Sequence, residues 1–147
     1  HMYNLCNYLR LTREDPDGSF AEKIPLALYS RGLGAVGLPG DLSSTSRFIR
    51  AAFTKLYSVS NNTEEESISQ FFHILGSVEQ QAGCVRVNGA YEKTVYSSCC
   101  NTDKGIYYYR TYENSQITAV SLQNEPLESD QLKSYPLCRE QQIRREN

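Results

Sequence analysis

Nowhere in this chain do about 18 apolar residues follow one another, so no helix of it is expected to cross a bilayer. The N-terminus also lacks the basic, apolar and small-residue succession of a secretory signal, and the chain is expected to be soluble and to act away from membranes. Positive charge is not in excess: 15 Lys and Arg stand against 17 Asp and Glu, for a formal net charge of -2. Non-specific nucleic-acid binding draws on a basic field that is missing here, so nucleic acid is set aside as a partner. The five cysteines, at positions 6, 84, 99, 100 and 138, show no paired C-x-x-C spacing, which argues against a zinc site. Cys99 and Cys100 are adjacent, and on a strand they point to opposite faces, so they would not share a metal in regular geometry. All five read as reduced thiols of a reducing compartment. Glycines at 32, 34, 37 and 40 allow close backbone approach or positive φ, but no Lys-Ser or Lys-Thr follows them and no third glycine completes a phosphate loop. There is no internal repeat or low-complexity tract, and 147 residues suit one domain without demanding a second.

What is present centres on Gly37-Leu38-Pro39-Gly40-Asp41-Leu42-Ser43-Ser44-Thr45-Ser46-Arg47-Phe48-Ile49-Arg50. A glycine and proline turn runs into hydroxyl residues that can cap a helix, and the helix is expected over 44–57. At helical spacing Phe48, Ile49, Ala52, Phe53 and Leu56 share one face, which predicts the buried side, and Arg47 falls near the opposite face with Ala51 and Thr54. A cation in the first turn opposes the helix dipole at a cost of up to about 1 kcal/mol. Arg47 is therefore either a solvated or surface-paired side chain, or is held there by a function.

Before this stretch, residues 3–31 read as extended and irregular. Asp15-Pro16-Asp17-Gly18 marks a turn between Leu9, Leu11 and the alternating Ile24, Leu26, Leu28, which suggests a two-stranded arm with Pro25 on an edge. His1-Met2 reads equally as native sequence or as a cloning remnant. Beyond Asn61 and Asn62, Thr63-Glu64-Glu65-Glu66 has the pattern of a capping box and predicts a second helix, carrying Ile68, Phe71, Phe72, Leu75 and Val78 and ending near Gly83. His73 lies off the centre of that stripe with no acid or thiol paired to it locally, so a surface or helix-contact role fits it better than catalysis. Segments 92–100, 105–112 and 116–122 are rich in Val, Ile, Thr and Tyr and predict three antiparallel strands. In the middle one Ile106, Tyr108 and Arg110 share one face, and Tyr107, Tyr109 and Thr111 the other. A short helix is expected over 125–132 and a charged, frayed end over 140–147. Helices followed by a meander give an α+β fold, and helices on one face alone would leave a row of tyrosine and cysteine in need of a second sheet.

The stretch at 37–56 closely resembles the C-terminal part of bile salt hydrolases, in Gly37 to Ser44, Ser46-Arg47-Phe48 and Arg50 to Leu56. The likeness continues through Ser69 to Gln81, Tyr96-Ser97-Ser98-Cys99-Cys100 and Tyr107-Tyr108-Tyr109-Arg110-Thr111-Tyr112, so that it spans about 3–137. This resemblance implies the choloylglycine hydrolase and penicillin V acylase group of N-terminal nucleophile hydrolases, whose fold is a four-layer αββα sandwich. It implies residues 1–147 as the C-terminal portion of a single hydrolase domain, with the arm at 9–31 reaching neighbouring subunits in a homotetramer. The family needs no metal or organic cofactor and works in the bacterial cytoplasm on conjugated bile salts.

In that family the first residue of the mature enzyme is a cysteine whose thiolate attacks the amide joining a bile acid to glycine or taurine. Position 1 here is His1, so the resemblance places the nucleophile, and the arginine, aspartate and asparagines that serve it, in the N-terminal part of the same enzyme. This chain alone is then expected to be inactive. The residue that can be carried over is Arg47, which in the family faces the active site and helps set the cysteine's reactivity; substrate-binding residues remain unassigned. Penicillin V acylase is the alternative within the same chemistry, and a non-catalytic assembly or binding fragment is the alternative of another class.

Overall fold

Ser43 takes an extended backbone and its hydroxyl accepts the amide of Ser46 at 3.3 Å, which starts α1, Ser44–Tyr57, with the bounds its sequence predicts. The computed structural model describes every residue from His1 to Asn147 and divides the chain into two compact units, His1–Val59 and Ser60–Asn147. In the first unit Ile49 is the side chain of the apolar face that is fully buried, worth about 1.5–3 kcal/mol at that degree of burial. Ser46 is buried on the same turn, Phe48, Ala52 and Phe53 are half-buried, and Leu56 is exposed. The expected apolar face is thus covered within this unit as far as Phe53 and open at Leu56.

The segment before α1 is less extended than its composition predicts. Met2–Tyr8 forms a 3-10 helix, and β1, Ser19–Phe20, pairs antiparallel with β2, Ile24–Pro25. The reversal lies at Ala21 and Glu22, both with positive φ, and not at Asp15–Gly18. The carboxylates of that predicted turn serve other purposes: Asp17 Oδ1 accepts the amide of Ser19 and Asp15 Oδ1 accepts the amide of Leu33, each at 2.9 Å. Pro25 sits in a two-stranded ribbon whose outer side is open, so its missing amide costs no ladder bond.

In the second unit Thr63 caps α2, Glu64–Gly76, by accepting the amide of Glu66 at 3.3 Å, and the Glu66 carboxylate takes the hydroxyl of Thr63 and the side-chain amide of Asn61. The helix ends before the expected Gly83. The Ser77 amide reaches the carbonyls of both His73 and Ile74, and its hydroxyl donates to Ile74 O at 2.7 Å, so the ladder closes one turn after Phe72. Val78 therefore lies outside the helix, and Gly83 occupies a turn at φ 93°.

A hairpin follows that the sequence reading lacks: β3, Val85–Val87, and β4, Ala90–Glu92, joined by Asn88 and Gly89, both at positive φ. The predicted meander is present as β5, Tyr96–Asn101, β6, Ile106–Thr111, and β7, Thr118–Ser121, in the order β5-β6-β7. α2 packs on one face, where the Arg110 guanidinium lies 5.4 Å from the centre of the Phe72 ring. On the other face Tyr109 is buried, and the C-terminal segment around Cys138 is tied down by bonds from Thr111 Oγ1 to Cys138 O and from Asn114 Nδ2 to Cys138 Sγ. Residues 125–132 do not form the expected helix. A short 3-10 turn, Leu122–Asn124, precedes Pro126, and the Glu125 carboxylate is taken up by Lys133 and Tyr135. The end is not wholly frayed, because Gln141 exchanges bonds with Ser115.

Gly34 is required by close approach, as is Gly18, whose Cβ would lie 2.7 Å from the backbone oxygen of Leu26. A Cβ on Gly34 would lie 2.1 Å from Glu14 O and 2.7 Å from Thr12 O, both backbone atoms. Gly34→Ala should therefore cost about 1–3 kcal/mol of stability, whereas Gly40→Ala, which meets open space, should be close to neutral. Paired thermal unfolding of the two variants checks this, and equal melting temperatures would contradict it.

Candidate functional site

Arg47 is the fourth residue of α1, and its amide donates to Ser43 O at 2.9 Å. It is half-buried, and so are Ala51 and Thr54 beside it. Partial burial distinguishes Arg47 from a fully solvated side chain, although Ser44 on the same turn is exposed.

The turn that delivers Arg47 is braced by two charged residues that the sequence reading left without a role. Asp41 Oδ1 accepts the amide of Ser43 at 2.9 Å, and Asp41 Oδ2 accepts the hydroxyl of Ser46 at 2.5 Å. These bonds from Ser43 and Ser46 lower the Asp41 carboxyl to about 2 from its ordinary 3.8. Arg50, one turn beyond Arg47, sends Nη1 to two backbone carbonyls, Pro39 O at 2.8 Å and Asp41 O at 2.7 Å. The brace thus fastens residues 39–43 to two successive turns of α1. Part of this was visible in sequence, since an aspartate two residues before a capping serine is the signature of an Asx turn. The reach of Arg50 back over nine residues was not.

The second unit holds a different kind of cluster. Glu64, at the start of α2, accepts from Asn101 Nδ2 at 2.5 Å and from Tyr108 Oη at 2.9 Å, and pairs with Lys104 Nζ. Bonds from Lys104, Tyr108 and Asn101 lower the Glu64 carboxyl, and the same carboxylate raises Lys104. Beside this cluster lies a groove of about 470 Å³ lined in part by Ile68, Phe71, Cys99 and Cys100. Burial and the neighbouring Cys100 push the Cys99 thiol up, which disfavours the thiolate that nucleophilic chemistry needs. Cys100 is exposed, one residue on, and the two thiols alternate across the strand. Glu64 ties the helix to the β5–β6 turn, and the groove presents no activated nucleophile. His73 is exposed, in keeping with a surface role. No group of three or more His, Cys, Asp or Glu side chains converges in a way that could hold a metal ion.

Comparison with known proteins places these features in context. The model of a family described as linear amide C-N hydrolases, choloylglycine hydrolase family, matches residues 1–135. A bile salt hydrolase/transferase of Lactiplantibacillus plantarum is 62% identical over 142 residues, covering 96% of this chain and 44% of that protein. A bile salt hydrolase/transferase of Clostridium perfringens is 39% identical over 137 residues, covering 92% of this chain and 41% of that protein. A crystal structure of a mutant conjugated bile acid hydrolase from Clostridium perfringens matches with a TM-score of 0.88 at 35% identity, over 99% of this chain and 45% of that one. The chain spans less than half the length of these relatives.

The Asp41 brace carries a pH signature. A carboxyl lowered in the folded state stabilises above its ordinary value of 3.8, and that stabilisation is lost as the pH falls towards about 2. Asp41→Asn should therefore be less stable than the parent at neutral pH, and the gap should close between 3.8 and about 2. Denaturation midpoints of both proteins across that range check the sign, and a gap independent of pH would rule it out.

Proposed function

Because this chain belongs to the choloylglycine hydrolase family of linear amide C-N hydrolases, we propose that it is the C-terminal portion of a bile salt hydrolase acting on glycine- or taurine-conjugated bile acids. The observation that carries this reading is the family match over residues 1–135 together with a half-buried Arg47 on a doubly braced helix start. The α+β fold of the chain is shared with the matched part of the bile acid hydrolase structure.

The chemistry proposed is acyl transfer through an N-terminal cysteine that lies in the remainder of the enzyme. Its thiolate adds to the amide carbonyl, and its own α-amino group, with an ordinary value near neutrality, relays the proton. The C-N bond breaks, glycine or taurine departs with that proton, and a thioester remains. Water then adds to the thioester, the C-S bond breaks, and the free bile acid and thiol are released. The groups needed are a thiolate, a base and fixed donors, so no metal or organic cofactor takes part. Arg47 contributes a permanent positive charge, which favours the thiolate and orients polar partners. On this reading the nucleophile belongs to the N-terminal portion of the enzyme, and residues 1–147 are expected to be inactive without it.

The same reading makes 1–147 part of one hydrolase domain and gives the segment at 9–31 a role in assembly, in a cytoplasmic homotetramer. Exposed Leu9, Phe20, Ile24, Leu26 and Tyr29 support such a role, since apolar side chains gain from burial against a neighbouring subunit.

In the complete enzyme, Arg47→Ala should lower turnover of glycocholate about tenfold to a hundredfold, the change in thiolate fraction expected from losing one nearby charge, while the melting temperature holds. Wild-type kinetics would remove Arg47 from the site. Glycine release from glycocholate should also exceed hydrolysis of penicillin V, and the reverse order would place the enzyme with the penicillin V acylases.

A further inference from the structure

We propose that Arg50 is a positioning residue for Arg47, an inference that rests on the catalytic part given to Arg47 above and extends it to a second arginine. The first four amides of any α-helix have no partner inside the helix, so the opening turn is the part most free to fray. In α1 that turn is residues 44–47, and Arg47 closes it.

Two tethers hold the turn. From the N-terminal side, Asp41 takes the Ser43 amide and the Ser46 hydroxyl, the latter contributed by the residue next to Arg47. From the C-terminal side, Arg50 Nη1 draws in the carbonyls of Pro39 and Asp41 at 2.8 and 2.7 Å. Both tethers end on the same short segment, 39–41, so Arg47 lies inside a loop closed at Ser46 and again at Arg50. One nitrogen bridging two carbonyls is a geometric lock, since losing it releases both carbonyls at once.

The substitution of choice follows from this geometry. Arg50→Met keeps much of the stem and removes every donor, so it cuts the second tether with little change in packing. Arg50→Lys keeps a charge and can reach one carbonyl but lacks the planar fork that spans two. A displacement of about 1 Å at a catalytic group can cost on the order of a hundredfold in rate. The loss on removing Arg50 should therefore appear in kcat, with KM little changed, although Arg50 is not itself given a contact with substrate.

The test is a double-mutant cycle in the complete enzyme, with its N-terminal cysteine, using glycocholate and the variants Arg47→Ala, Arg50→Met and both together, with Arg50→Lys in parallel. If Arg50 acts through Arg47, Arg50→Met lowers kcat about tenfold or more, the double variant falls no further than Arg47→Ala, and Arg50→Lys recovers part of the rate. The acidic limb of the kcat/KM profile should also move upward in Arg50→Met, as is expected for Arg47→Ala when a charge that favours the thiolate is lost, which a loss of folded protein alone would not produce. An equal fractional loss from Arg50→Met with and without Arg47 would overturn the inference and leave the role of Arg47 standing, and so would wild-type kinetics for Arg50→Met and Arg50→Lys beside an impaired Arg47→Ala. Wild-type turnover by Arg47→Ala would instead remove the reading on which both depend.

Discussion

The buried apolar side chains of this chain are Ile49, Phe72 and Tyr109, and that shortage of core is the constraint to which the rest of the structure answers. Three such side chains offset only a small part of the conformational entropy lost on ordering helices and sheets. Elements are therefore pinned by polar side chains that reach across turns. Asp41 and Arg50 fasten the start of α1, Glu64 fastens α2 to the β5–β6 turn, and Asn114 with Thr111 holds the segment around Cys138. Of these hubs, Asp41, Glu64 and Asn114 each accept from several donors and Arg50 donates to two carbonyls, which is how polar groups avoid the penalty of an unmet hydrogen bond.

The hubs divide by what they can do. Glu64 sits among Asn101, Lys104 and Tyr108, so its charge is neutralised locally and its work is to join two elements. The brace at α1 leaves a third charged residue, Arg47, on the same helix start, and this is the place where a stable charge would serve chemistry. A helix start is a poor site for a cation on dipole grounds. That cost is set against a double tether, and the proposed enzyme role explains why it is tolerated. The thiols tell the opposite story: burial raises Cys99, and a raised thiol is a packing group more than a nucleophile.

Much of this was legible in the residues. The bounds of α1 follow from Ser43 and the spacing of Phe48, Ile49, Ala52 and Phe53, because a cap and an apolar period are both local properties. The capping box at Thr63 and the three strands of the meander were legible for the same reason. The hairpin at Asn88-Gly89 was legible too, since that pair suits two successive positive φ values, and it went unread between stronger signals. The end of α2 was misplaced because Ser77 stops the ladder through its own hydroxyl and amide, which carries no composition signal. Leu56 joins the apolar period yet lies exposed, because periodicity marks a face and not what covers it.

The amino-acid sequence by itself determined the class of fold, the two α-helices and the meander, and through resemblance the family and the singling out of Arg47. These rest on patterns within a few turns or strands of chain, where near neighbours decide the outcome. Only the tertiary structure decided that Arg47 is half-buried, that Arg50 reaches back to Pro39 and Asp41, and that Glu64 meets Lys104 across forty residues of chain. Such contacts depend on where a long side chain ends after the backbone has turned.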